Sequence, residues 1–223
     1  MKHPTGFLIR IALLMCLLLL FWWMAEVHIP NGINLTIIWG GILLTFPLVQ
    51  LGRKILDQQP TVSRAVWVTT FVHYGLGFTL GVPLVRALTT HLDWSGLILP
   101  IPTEFGWVLV IITGVASFLV VVNLALRGLG APFFIALSKK LAVDWLYAWT
   151  RNPMVLAVLA FLLSLGIWFQ SALFVLWVLI LFGPAVLFFV KIYEERELEI
   201  RFGAPYVEYR SRTAMLFPRR PRH

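Results

Sequence analysis

The sequence predicts an all-α, polytopic integral membrane protein of about six transmembrane helices, with a C-terminal helical hairpin and a polar site at its cytoplasmic face. Three observations carry this prediction. Of the 223 residues, 60% are hydrophobic and only 13% charged, where a soluble domain has about 25% charged. Apolar stretches long enough to cross a bilayer recur along the whole length. The cations, finally, are sorted to one side of those stretches.

The apolar spans run over residues 7–25, 33–51, 65–85, 105–126, 154–169 and 172–190. Lys2 and Arg10 lie at the start of the first, whose long apolar run ends in Phe21-Trp22-Trp23 with no small-residue cleavage site. A retained anchor is therefore expected, not a signal peptide. Arg53, Lys54 and Arg64 lie between spans two and three, and Arg127, Lys139, Lys140 and Arg151 between four and five. Lys191, Arg196, Arg201, Arg210, Arg212, Arg219, Arg220 and Arg222 come after span six, and only Arg86 falls on the other side. The positive-inside rule then places both termini in the cytoplasm. Spans five and six are joined by Phe169-Gln170-Ser171, the signature of a tight helical hairpin. The Gly183-Pro184 pair predicts a kink in span six.

The formal charge of +8 is accounted for by membrane orientation, so no nucleic-acid partner is expected. The single cysteine, Cys16, excludes a disulfide or a cysteine metal site within one chain. No metal-ligand spacing is present.

Polar chemistry concentrates at residues 127–153 and in the tail from 191. Asn152 is a preferred N-cap and Pro153 suits a first helical turn, so a helix starts there. Its free N–H groups, with Arg151 beside them, favour an anion, although capping and orientation alone would also account for these residues. In "KIYEERELEIRFGAPYVEY" span six continues beyond the bilayer to about Glu199. Lys191 can pair with Glu194 or Glu195, and Glu197 with Arg201. Gly203 is a C′ residue and Pro205 blocks continuation. A hairpin returns the chain to its starting face, which brings Arg151 and Asn152 beside Glu194 and Glu195. Tyr206 and Tyr209 fold over the same place. The expected result is a small cleft with cationic, anionic and aromatic walls, suited to a zwitterionic small molecule.

Taken in order, "RNPM", the hydrophobic hairpin and "EERELEIRFGAPYVEY" resemble the C-terminal half of isoprenylcysteine carboxyl methyltransferases and the related phospholipid N-methyltransferases. "RGLGAP", residues 127–132, resembles a Gly-x-Gly-Thr-Pro stretch of the bacterial members. The resemblance covers about residues 127–217 and implies a bacterial inner-membrane methyltransferase. It divides the chain into a four-helix transmembrane region, 1–126, and a methyltransferase-like region, 127–223. It implies S-adenosylmethionine as methyl donor and a lipid-borne carboxylate or amine as acceptor. Carried over by position, Arg151, Asn152, Pro153, Met154, Glu194, Glu195, Tyr206 and Tyr209 would bind the cofactor. Glu194, Glu195 and Arg151 would serve catalysis, a glutamate as base for an amine and a cation such as Arg151 or Arg201 to position a carboxylate. The chain departs from the family at Asn152 (often His), Ala131 (Thr), Trp145-Leu146 (a Gly-Pro turn) and Val155 (Tyr).

Other polar residues have plainer expectations. His73, in span three, is a neutral side chain bonded to a neighbouring helix or, as an ionisable group within a span, a functional candidate. Asn123 is an interhelical hydrogen-bonder, and Glu26 and His28 are solvated at the outer interface. Gly128-x-Gly130 has no strand before it and carries little weight for phosphate binding. Two other classes compete with the methyltransferase: a membrane reductase of the sterol-reductase type using a nicotinamide dinucleotide, and a non-catalytic protein on the same scaffold.

Overall fold

The computed structural model describes residues 4–90, 96–126 and 141–220, with the side chains of 4–10 and 125–126 left aside. "RGLGAP", Arg127, Lys139 and Lys140 lie outside the described residues. The described elements are helices. α1 is Pro4–Glu26, α2 Asn31–Gln58, α3 Val62–Thr89 and α4 Thr103–Leu126. A short α5, Leu146–Trp149, precedes α6, Pro153–Trp168, then α7, Ala172–Phe202, and α8, Ala204–Arg212. Among the described residues the only strand-like feature is an isolated bridge between Ile98 and Ser171.

Four of these helices are long and apolar enough to cross a membrane: α2, α3, α4 over Thr103–Leu124, and α7. Ile11–Glu26 of α1 and Pro153–Trp168 are shorter apolar helices. Together they are the six segments that the sequence predicts, and the chain is an integral membrane protein. The outer faces are apolar too: Ile111, Ile112, Val115, Phe118 and Leu119 of α4 are all exposed, as lipid-facing residues must be. In such surroundings apolar burial gives little driving force, and close packing and interhelical hydrogen bonds take its place. Thr45 on α2 donates to Thr79 on α3 at 3.0 Å, Thr113 on α4 to Ser164 on α6 at 3.2 Å, and the Trp177 indole on α7 to the Ile38 carbonyl at 3.2 Å.

α7 is the spine. Phe174, Trp177, Val178, Phe182 and Ala185 pack with Ile38 and Ile42 of α2 and Ala87 of α3. Further along, Phe189, Val190 and Tyr193 pack with Val49 and Leu56 of α2 and Val68 and Val72 of α3. At 31 residues α7 is about 46 Å long, against about 30 Å for the hydrocarbon core. Its last turns therefore project beyond the bilayer. Gly183-Pro184 does not interrupt the helix. The Gly183 N–H reaches back five residues to the Val178 carbonyl, and a π turn, Val178–Phe182, takes up the strain while the backbone keeps helical dihedrals. A second π turn, Val190–Glu194, runs into the paired glutamates.

The hairpin between α6 and α7 is tight. Gln170 takes φ 55°, and Ser171 caps α7 by accepting from the Phe174 N–H at 3.2 Å. The loop before α4 is sewn onto it: the Leu99 N–H donates to Gln170 and the Ala172 N–H to Leu97. Near that end Arg86 of α3 is buried, donating to the Val27 carbonyl at 3.0 Å and to the Asn34 side chain at 2.7 Å. Glu26 and His28 are exposed, in keeping with an interfacial position. Asn123 shows no interhelical bond: its amide nitrogen is buried without a partner among the described residues.

Candidate functional site

The hairpin brings the start of α6 and the projecting turns of α7 side by side at one end of the bundle. Arg151, just before α6, forms an ion pair with Glu195 of α7. The same guanidinium donates to the carbonyls of Arg210 and Thr213, at 2.9 and 2.6 Å. Its backbone N–H donates to the Ala214 carbonyl at 2.8 Å. One arginine thus ties α7 and the C-terminal tail to the loop before α6. Its Nε is buried with no hydrogen-bond partner among the described residues.

Asn152 stands at the N-cap position of α6, but its side chain makes no capping bond. It donates instead to the Met215 carbonyl at 2.9 Å. The reason is that the tail lies across the loop: Thr150 also donates to Met215, and the Arg219 N–H to Trp149. The carbonyls of the tail are the nearer demand, and the amide meets it. Pro153 occupies the first helical turn as predicted.

α7 ends at Phe202, and Gly203 comes next at φ 62°, a conformation that glycine alone adopts freely. This reversal sends α8 back along α7, so that Tyr206 and Tyr209 are buried against the Arg151 region. The Tyr209 hydroxyl donates to the Tyr147 carbonyl at 2.6 Å. Glu197 and Arg201 form the expected i,i+4 pair at 2.7 Å, almost fully buried. Lys191 is exposed and pairs with neither Glu194 nor Glu195 among the described residues; Glu195 turns to Arg151 instead.

These groups surround a cavity of about 190 Å³. Arg151, Asn152, Pro153, Met154, Glu194, Glu195, Tyr206 and Tyr209 all line it, so the structure brings every sequence-predicted site residue to one place. Arg201, which the sequence offered as a second cation for a carboxylate, lines the cavity too with its partner Glu197, while sequence reasoning missed Tyr147 and also Thr69 and His73 of α3, which line the same cavity from the other half of the chain. His73 stands out in the sequence as an ionisable group within a span, but nothing in the linear pattern connects it to residues more than a hundred positions away.

The phenols of this cleft hold their protons. Burial, reinforced by the nearby Glu194 charge, pushes Tyr147 up to about 12. Tyr206 and Tyr209 are raised as well, again chiefly by burial. They act as hydrogen-bond donors, and base chemistry at neutral pH falls to the carboxylates. Of the pair, Glu195 is held by Arg151, whereas Glu194 makes no hydrogen bond or ion pair among the described residues. Among the described residues no group of three or more His, Cys, Asp or Glu side chains is placed to hold a metal ion.

The α2–α3 pair braces the same stretch of α7. Thr69 and the Tyr193 hydroxyl are 2.8 Å apart, Arg53 donates to the Ile192 carbonyl at 2.8 Å, and Arg196 to Asp57 at 2.9 Å. Gly52 makes room for this: a Cβ there would come within 2.5 Å of Val72 and 3.2 Å of the Tyr193 ring.

Residues 102–204 match the family model of phospholipid methyltransferases, the family that the motifs resemble. The match takes in α4 together with the hairpin and the paired glutamates. No curated protein matches the chain, and no solved structure does. The segment from α4 through the paired glutamates, which supplies part of the cleft wall, is thus similar to phospholipid methyltransferases.

Proposed function

We propose that the protein is an S-adenosylmethionine-dependent integral-membrane methyltransferase that transfers a methyl group to a lipid-borne amine or carboxylate. The observation that carries this reading is the convergence of Arg151, Glu194, Glu195, Tyr206 and Tyr209 on one cavity at the charged end of a membrane bundle. The similarity of residues 102–204 to phospholipid methyltransferases supports it.

The donor set fits the cofactor. An α-amino acid group needs a cation and an anion close together, and a ribose needs carboxylate or phenol partners. Arg151 keeps one buried N–H without a partner among the described residues, and Glu194 keeps its oxygens. S-adenosylmethionine, when bound, supplies a methyl group on an already activated sulfonium. The protein's task is then to hold the reacting groups in line and to exclude water. Arg151, fixed by Glu195 and two tail carbonyls, presents its Nε–H to a carboxylate. Tyr206 and Tyr209 close the side formed by the tail. For an amine acceptor, Glu194 takes the proton. For a carboxylate acceptor no base is needed, and a cation orients it. In this reading residues 127–223 carry the donor chemistry, and the first 126 residues frame it. We further infer that the cleft opens to the cytoplasm of a bacterial inner membrane, with both termini on that side, because Arg53, Arg64, Arg196, Arg210 and Arg212 cluster at its end of the chain's spans.

The test is to incubate the purified protein with radiolabelled donor and a whole-membrane lipid extract, then identify the labelled lipid. A labelled lipid amine or ester is expected, and its absence sinks the reading. Calorimetry with both cofactors separates the alternatives. Binding of a nicotinamide dinucleotide and not of the methyl donor would point to a membrane reductase, and binding of neither to a non-catalytic scaffold.

A further inference from the structure

The cavity has two ends of different chemistry. The charged end holds Arg151, Glu194 and Glu195. The other is lined by Val186, Phe189 and Val190 of α7, and by Thr69 and His73 of α3. His73 lies eleven residues beyond Val62, where α3 begins, about 16 Å along the helix. With a hydrocarbon core about 30 Å thick, that end of the cavity reaches well into the bilayer. Its walls interlock: the His73 and Phe189 rings meet edge to face at 5.7 Å, Phe189 stacks with Tyr193 at 5.9 Å, and Tyr193 bonds Thr69.

We propose that this inner end is the acceptor subsite, and that Thr69 and His73 are specificity-determining residues within it. The inference rests on the methyltransferase reading. A water-soluble donor is satisfied at the charged end and has no use for a pocket at hydrocarbon depth. A lipid does: its apolar portion lies against Val186 and Phe189, and its reacting group is then directed toward Glu194. Thr69 and His73 set two polar side chains into that wall, so the subsite distinguishes lipids by the polar groups that link the reacting group to the apolar chain. Both residues precede the segment similar to phospholipid methyltransferases. The choice of acceptor is thus made partly by the N-terminal half.

The experiment uses the full chain in vesicles that contain one of two photoactivatable lipids, a phosphatidylethanolamine with a diazirine in its acyl chain or a diazirine-bearing farnesylcysteine. Adducts are mapped by residue. Phe71 and Ile180, at 59% and 66% exposure, report bulk lipid contact. For one of the two probes, adducts are expected at Phe189, Val190 and His73. Unlabelled lipid of the same kind should reduce these at least fivefold while leaving those at Phe71 and Ile180 unchanged. His73→Phe, which fills the subsite, should lower the Phe189 adducts by a similar factor with the affinity for the methyl donor within twofold of wild type. His73→Ala should change the ratio of the two probes in the subsite. Adducts confined to Phe71, Ile180 and other lipid-facing positions, with donor binding intact, overturn the subsite and leave the methyltransferase reading standing. Competable adducts at Phe189 without any donor binding support the lipid site and remove the methyltransferase reading.

Discussion

Arg86, buried, and Arg151, with its side chain 12% exposed, both tie a distant segment to a helix, and they sit at opposite ends of the bundle. Arg86 donates to main-chain oxygens of Met24 and Val27 and to Asn34. Asn34 donates on to Thr90, which bonds back to the Arg86 carbonyl at 2.7 Å. Arg151 donates to two carbonyls and to a carboxylate, lines a cavity, and has an N–H left over among the described residues. Arg86 does not line that cavity. The difference teaches that burial of a cation does not mark a site. A site needs a cavity beside the cation and bonding capacity that the fold has not used.

The largest expected effect tests the structural member of the comparison. Arg86→Ala strands the Asn34 side chain and two carbonyls, at about 1–3 kcal/mol for each buried group. It should lower stability by about 3 kcal/mol or more, read as thermal unfolding in detergent. Whatever remains folded should bind the methyl donor as wild type does. A loss of donor affinity in the folded fraction would break the distinction. Glu194→Gln comes next: transfer to an amine should fall about 10²-fold or more, a larger loss than the accompanying loss of donor affinity. An unaffected rate would take the base role from Glu194. Arg151→Ala should weaken donor binding about 30-fold, roughly 2 kcal/mol, and render the chain beyond Gly203 sensitive to protease. Unchanged calorimetric affinity in the folded variant removes Arg151 from the donor site and makes it a second Arg86.

Alkaline titration sharpens the contrast further. Tyr147 ionises at about 12 in the folded protein, against 10.0 ordinarily, and Tyr206 and Tyr209 are raised too. The folded form therefore keeps protons that the unfolded form gives up. That contribution is whole below pH 10 and is lost as pH rises through about 12. Proteolysis of the tail should begin in that window, before the Arg86 end opens. The smallest effect concerns Trp145, 69% exposed at φ 55°. The methyltransferases that the motifs resemble place glycine at this position, and Trp145 holds a positive φ that glycine adopts without strain. Trp145→Gly should gain about 0.5–1 kcal/mol. A destabilised variant would show that the indole itself anchors the loop.

The helices, the hairpin and the meeting of Arg151 with the paired acids were legible in the sequence because each arises from a local signal: an apolar run, a cap, or the parity of crossings. Asn152, Lys191 and Arg86 were not, for a common reason. Their surroundings are backbone carbonyls or rival side chains supplied by distant segments, and carbonyls leave no trace in residue identity. Asn152 spends its amide on Met215 because the tail crosses there. At Gly183-Pro184 the winding changes to a π turn, Val178–Phe182, which residue identities alone do not announce. The role of α3 in the cavity wall was hidden as well, since His73 and Phe189 become neighbours only after folding.

The turn at Val190–Glu194 amounts to one surplus residue wound into α7. Wound as ordinary α-helix, the same residues would be turned by about 100° around the axis from that point on. Both acids would then point away from Arg151, with no side chain of the cleft altered. The phase of this helix, as much as its chemistry, aims the carboxylates.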